Sequence, residues 1–208
     1  MQKSEKIQYG CGFSTAPDWR NFDGSPTLRF ERFPLLGRLY VKNAQRFPED
    51  VEFGDIVRGL PVPDGSCELV YCSHVLEHLS LEDCRTALRN THRLLREGGR
   101  FRLVLPDLEQ LVADYRADGS DQAAMAFVKG SALGRERRPR SAKAFVLEWL
   151  GSGQHLWMWD YPSLARELGE AGFREIHRAR FGDSEEPAFK EVEHPDRWED
   201  CLGIECRK

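Results

Sequence analysis

Short apolar stretches that end in glycine or aspartate recur through the first half of the chain, and each reads as a strand running into a turn. Residues 6–9 run into Gly10-Cys11-Gly12, and residues 19–22 end at Asp23. Residues 51–54 end at Asp55, and the turn-rich stretch 60–66 then leads into residues 68–72, a fourth strand. From Leu81 the period changes: Leu81, Cys84, Leu88, Thr91 and Leu95 fall three or four apart and build one apolar helix face, which Gly98-Gly99 is expected to stop. Residues 101–105 form a compact apolar run closed by Pro106, the pattern of a buried strand. Helical stretches follow at 107–117, 123–131 and 142–150, then a helix opened by Asp160-Tyr161-Pro162 and closed at Gly172, and strands at 175–181 and 201–206. Strands alternating with helices predict an α/β fold paired in parallel through right-handed crossovers.

Composition narrows this picture only moderately. The 208 residues, 40% of them hydrophobic, suit a single domain, 1–208, with one sizeable core. A balance of 30 Lys+Arg against 34 Asp+Glu, net -4, offers no field for a polyanion, so no nucleic-acid partner is implied. The polar start, residues 1–6, lacks the apolar core of a signal peptide, and nothing approaches 18 continuous apolar residues, so the expectation is a soluble cytoplasmic protein without a membrane partner. The six cysteines include no pair at two-residue separation and no histidine pair completes a zinc pattern, so no metal is expected and the thiols read as small buried hydrophobes. A basic run, Arg135, Arg137, Arg138, Arg140 and Lys143, reads as a solvated loop or as a site for an acidic acceptor. Residues 183–200 are acid-rich and expected to be exposed.

The glycines after the first strand, Asp23 after the second, Gly54-Asp55-Ile56 before Leu60-Pro61, the series Ser73-His74-Val75-Leu76-Glu77-His78-Leu79, then Arg93 to Gly99 and Ala171-Gly172-Phe173, together resemble the class I S-adenosylmethionine-dependent methyltransferases, the type 11 branch in particular. The resemblance implies a Rossmann-like seven-strand methyltransferase sheet, with 108–156 as an inserted helical substrate cap. It also implies S-adenosylmethionine as cofactor, S-adenosylhomocysteine as product, and in-line methyl transfer to oxygen or nitrogen of a small-molecule acceptor, such as a glycan or secondary metabolite. A homodimer is compatible with it.

Elementary chemistry supports several of these positions. Glycines at 10 and 12 let the backbone turn sharply and approach a ligand, although glycine is also the default turn residue. A carboxylate at Asp23 can accept from two ribose hydroxyls, or serve as a cap. Asp55 and Ile56 suit an adenine, one accepting from the amine and one packing on the ring; the plain alternative is a turn cap. With Tyr9, Cys11, Ser73 and His74 these make up the expected cofactor-binding set. Only ten residues separate Gly12 from Asp23, too few for a full crossover helix, so the first crossover is expected to be shortened. Candidates for a general base are His74, His78, Asp107 and His155, with His74, His155 and Asp107 preferred; Glu77 and His78 alternatively fasten a strand-to-helix turn. Trp157, Trp159 and Tyr115 are candidate acceptor contacts, the tryptophans alternatively core anchors. Two other classes fit less of the chain: a cofactor-binding regulatory protein without turnover, and a nicotinamide-dependent oxidoreductase, which would want a fuller glycine series.

Overall fold

A computed structural model describes residues 5–33, 46–135, 140–141 and 153–208. The helix expected at 142–150 and the basic residues Arg137, Arg138 and Lys143 lie outside the described residues.

Seven strands form one sheet: β1 (Glu5–Tyr9), β2 (Arg20–Asp23), β3 (Val51–Phe53), β4 (Cys67–Ser73), β5 (Leu95–Pro106), β6 (Arg174–Ala179) and β7 (Cys201–Arg207), in the order β3-β2-β1-β4-β5-β7-β6. β1 to β5 are mutually parallel, while β7 runs antiparallel to both β5 and β6. The order reverses between β1 and β4, which places the switch point of the sheet beside the Gly10 turn. No helix joins β1 to β2; the connection is a series of turns in which Ser14 N–H donates to the Cys11 carbonyl and the Ser14 carbonyl accepts from Gln8. The first crossover is therefore shortened, as the spacing requires.

Five α-helices are described: α1 (Pro26–Glu31), α2 (Leu81–Leu94), α3 (Leu108–Ala117), α4 (Ala123–Gly130) and α5 (Tyr161–Glu170). α1 was not anticipated, although Ser25-Pro26 is a sound start signal: the Ser25 side chain accepts from Thr27 N–H, and proline occupies the first turn. α2 buries Cys84, Ala87, Leu88, Thr91 and Leu94, the period expected of it. It ends sooner than its glycines suggest. Leu95 already has extended angles (φ -68, ψ 140) and opens β5, while Gly98, at φ 72, sits in the irregular stretch where β5 shifts register against β4.

Alternation along β4 divides the core. Val70 and Cys72 face the larger cluster with α2 and α5, and Leu69 and Tyr71 face a second cluster with Trp19, Phe189, Val192 and Trp198. That second face corrects the reading of 183–200 as exposed: Phe189, Val192, Glu193 and Trp198 are buried. Two 3-10 turns, Pro187–Glu191 and Pro195–Arg197, carry these side chains, because an apolar sheet face without a described helix over it must be covered by something. All six cysteines are free. Among the described residues no helix is long and apolar enough to cross a membrane.

Candidate active site

Because β1 to β4 are parallel, the residues at their carboxyl ends gather along one edge, and a cavity of about 520 Å³ opens there. Tyr9, Gly10, Asp23, Gly24, Ser25, Pro26, Gly54, Asp55, Ile56, His74, Val75, His78 and Leu79 line it. Gly10 adopts φ 71, and a Cβ on it would lie 2.0 Å from Val75 Cγ2, so both the backbone and the space demand glycine. Tyr9 is buried with its hydroxyl 3.2 Å from Thr91 Oγ1, and burial raises its pKa well above the usual phenol value.

Asp23 ties two corners together. Its Oδ2 accepts from Gly12 N–H at 3.0 Å and its Oδ1 from Ser25 N–H at 2.7 Å, which orients the carboxylate while each oxygen keeps a further acceptor site. Asp55 is set similarly by Val57 N–H at 2.9 Å, with Arg58 Nε 3.4 Å from its second oxygen. Beside it Ile56 is buried, and its carbonyl accepts from Asn90 Nδ2 at 2.8 Å.

At the end of β4 the chain turns sharply through His74, a non-glycine residue at φ 53, into a 3-10 turn, Leu76–His78. His74 Nε2 lies 3.0 Å from the Arg197 carbonyl and Nδ1 3.4 Å from Glu77 Oε1. Burial alone would lower its pKa, but the contacts to Cys201 and Glu77 and the Arg197 carbonyl prevail and hold it up to about 10. An imidazolium, here with Nε2–H given to the Arg197 carbonyl and Nδ1 in ion-pair contact with Glu77, lacks a lone pair to take a proton, so at neutral pH the geometry suits His74 to positioning rather than to the base role expected of it.

Glu77 is 0% exposed, and neither carboxylate oxygen accepts a hydrogen bond among the described residues. His78 Nδ1 is 3.1 Å from the Gln154 carbonyl, and its Nε2 is 3.9 Å from Glu77 Oε1. His155 lies edge-on to His78 with ring centroids 4.9 Å apart, and its buried Nδ1 has no hydrogen-bond partner among the described residues. Burial lowers the His155 pKa, the Glu77 carboxylate opposes this, and the neighbouring His78 adds to it. The segment carrying His155 is held against the turn by Leu156 and Trp157 N–H groups, which donate to the Glu77 carbonyl at 2.7 and 3.2 Å.

Other expected site residues lie away from the cavity lining. Cys11 turns into a separate apolar cluster with Leu28, Phe47 and Val51, and burial raises its thiol to about 12. Gly12 spends its amide on Asp23. Ser73, the last residue of β4, keeps a buried Oγ without a hydrogen bond. Asp107 is the N-cap of α3, accepting from Glu109 N–H at 2.9 Å, with Arg178 3.5 Å away, so a helix end already uses it. Trp159 is 1% exposed in the main core and is a packing anchor rather than an acceptor contact. Trp157 remains half-exposed, 6.1 Å from Trp159 between ring centroids. Tyr115 lies tilted against Phe127 of α4, ring centroids 5.7 Å apart. Outside the expected site set were Gly24, Ser25, Pro26, Gly54, Val75 and Leu79 on the lining; the helix-start signal of Ser25-Pro26 points to those two.

A glycine corner and carboxylates at consecutive strand ends, around the switch point of a seven-strand sheet, are the arrangement that Rossmann-like nucleoside sites use. A family model described as "Methyltransferase domain" matches residues 37–103. Over 80 residues the chain is 41% identical to a 37.1 kDa protein in transposon TN4556 of Streptomyces fradiae, an alignment spanning 36% of this chain and 22% of that protein, so the chain accounts for only a small part of that relative's length. A SAM-dependent methyltransferase from Thermotoga maritima superimposes with a TM-score of 0.54 at 15% identity, covering 100% of this chain and 84% of the other. PigF with SAH superimposes with a TM-score of 0.50 at 16% identity, covering 99% and 56%. At such identities the likeness is one of fold. The matched segment, about a third of the chain, is similar to a methyltransferase domain, and the fold is one that S-adenosylmethionine-dependent methyltransferases share.

Proposed function

We propose that this protein binds S-adenosylmethionine in the β1–β4 cavity and transfers its methyl group to oxygen or nitrogen of a small-molecule acceptor by in-line displacement. The observation that carries the reading is the convergence of Gly10, Asp23, Asp55 and Ile56 on one cavity. The donor set fits the cofactor: a glycine corner where a Cβ would collide, an oriented carboxylate for ribose hydroxyls, and a carboxylate beside an apolar side chain for an adenine. When bound, the cofactor supplies an electrophilic methyl on a sulfonium. The protein's share is to hold that methyl against the acceptor and exclude water, and good alignment can supply roughly 7–11 kcal/mol of the barrier.

His74, Val75, His78 and Leu79 form the wall facing the acceptor on this reading, with His74 held by Arg197 and Glu77 as a positioning group. Residues 108–156 act as the substrate cover. In support, α3 and α4 lean on each other through Tyr115 and Phe127 and bury little else, while the returning chain is stitched to the Glu77 carbonyl beside that wall.

Calorimetry is the direct test, using S-adenosylmethionine, S-adenosylhomocysteine and a nicotinamide dinucleotide as ligands. Only the first two should bind. Asp55→Asn and Asp23→Ala should each weaken binding by about 10-fold, the loss expected of a hydrogen bond to a charged group. Tighter binding of the dinucleotide, or variants that match the parent, would overturn the assignment. Incubation with labelled methyl donor and cell extract then reads the acceptor; cofactor binding without any labelled product would argue against turnover.

A further inference from the structure

We propose that Glu77, His78 and His155 form a binding site for one divalent transition-metal ion of the zinc, manganese or iron(II) type. One ligand atom from each residue lies within 4.8 Å of the other two. Metal bonds of about 2.0–2.2 Å bring donors on one ion to roughly 3 Å apart or slightly more, so modest side-chain rotations close the set.

Three independent features point to a missing ligand rather than to a structural cluster. The Glu77 carboxylate is 0% exposed and accepts no hydrogen bond from the described residues, although buried polar groups are nearly always paired. His74 lies 3.4 Å from Oε1, outside hydrogen-bond geometry, which leaves Oε2 unpartnered. The His155 Nδ1 is likewise buried without a hydrogen bond that meets normal geometry among the described residues. His78, finally, is oriented as metal-binding histidines are: Nδ1–H is given to a backbone carbonyl, that of Gln154, and Nε2 is turned toward the carboxylate.

Two imidazoles and one carboxylate are a donor set for borderline transition metals, whereas magnesium and calcium prefer oxygen throughout. Three protein ligands leave coordination positions open. Since His78 also lines the cavity, the site borders the space beside the cofactor corner. An acceptor hydroxyl or carboxylate suits the open positions; that extension rests on the methyl-transfer reading, whereas ion binding does not. Spacing along the chain hid this site, because His155 comes from beyond α4 and reaches the turn only in the folded molecule.

The test uses the full chain without an affinity tag, treated with chelator and desalted. Cobalt(II) titration should develop visible d–d bands saturating at one equivalent, and zinc calorimetry should give the same stoichiometry. His155→Ala, at a half-exposed residue and monitored for folding by circular dichroism, should weaken binding at least 10-fold, as should Glu77→Gln. Absent bands, or variants that bind as the parent does, would show that Glu77 is merely countered by His74 and would overturn the site. S-adenosylhomocysteine binding by the chelated parent protein is read separately, so loss of the ion site and loss of the cofactor reading are distinguishable.

Discussion

Arg102 and Glu77 are both fully buried charges near the middle of the sheet, yet their surroundings could hardly differ more. Arg102, on β5, donates Nε to Glu193 at 2.5 Å, Nη1 to Glu205 at 2.9 Å, and Nη2 to the Arg180 carbonyl at 2.6 Å and Asp183 at 2.9 Å, with the Trp198 ring 4.6 Å away. Burial works against its charge, but these acidic partners keep it more firmly protonated than an ordinary arginine. Glu77, in the 3-10 turn after β4, has ion-pair contacts to His74 and His78, but its carboxylate accepts no hydrogen bond among the described residues. A buried charge that the protein satisfies completely holds structure together. One that it leaves wanting marks a place where something else completes the set.

Breaking the satisfied side should have the larger effect. Arg102→Met leaves Glu193 a buried anion with only the Gly182 N–H, while Glu205 keeps Arg100, and urea unfolding at neutral pH should show a loss of about 3–5 kcal/mol. A stability within 1 kcal/mol of the parent would mean the network offsets only its own desolvation. Next comes the glycine corner of the functional edge. Gly10→Ala must hold a left-handed residue, costing on the order of 1–2 kcal/mol, and displace Val75 as well. Thermal melting should register that loss, and calorimetry should register weakened S-adenosylhomocysteine binding.

Glu77→Gln is the sharpest contrast with Arg102→Met. Removing an unsatisfied anion should shift unfolding in the absence of added metal by less than about 1 kcal/mol, in either direction. A loss as large as that of Arg102→Met would show that Glu77 is structural after all. The smallest expected effect lies at the α2–α5 contact, where Arg85 grips both oxygens of Glu167 at 2.8 and 2.9 Å. That grip, opposed by burial, lowers the Glu167 pKa. The contribution is therefore fully present above the unfolded carboxyl value of about 4.3 and is lost as pH falls through the lower folded value. Glu167→Gln should lower stability slightly at neutral pH and flatten the acid limb, the difference from the parent vanishing as pH falls below the folded value.

The two charges also differ in how far the sequence revealed them. Arg102 interrupts an apolar run and so looks like a strand residue at odds with its neighbours; its partners Asp183 and Glu193 lie in a stretch whose acidity suggested exposure. Glu77 and His78 stand together in a recognisable series, but their local alternative, a fastened turn, could not be separated from a site without His155. Trp159 shows the reverse error. A tryptophan two residues from an exposed one looked equally able to line a pocket, and only packing buried it at 1% exposure.

Local information was enough for the strands, their turn-ending corners, the apolar face of α2 and the missing first crossover helix, because each depends on periodicity, chain length or the φ freedom of a residue within a few positions. Asp23 and Asp55 were legible for the same reason: a strand end fixes where its next residue points. The cluster of Glu77, His78 and His155, the burial of Phe189, Val192, Glu193 and Trp198, and the core placement of Trp159 were decided only in three dimensions. These depend on which distant segments the sheet order brings to one edge, and no short-range pattern encodes that meeting.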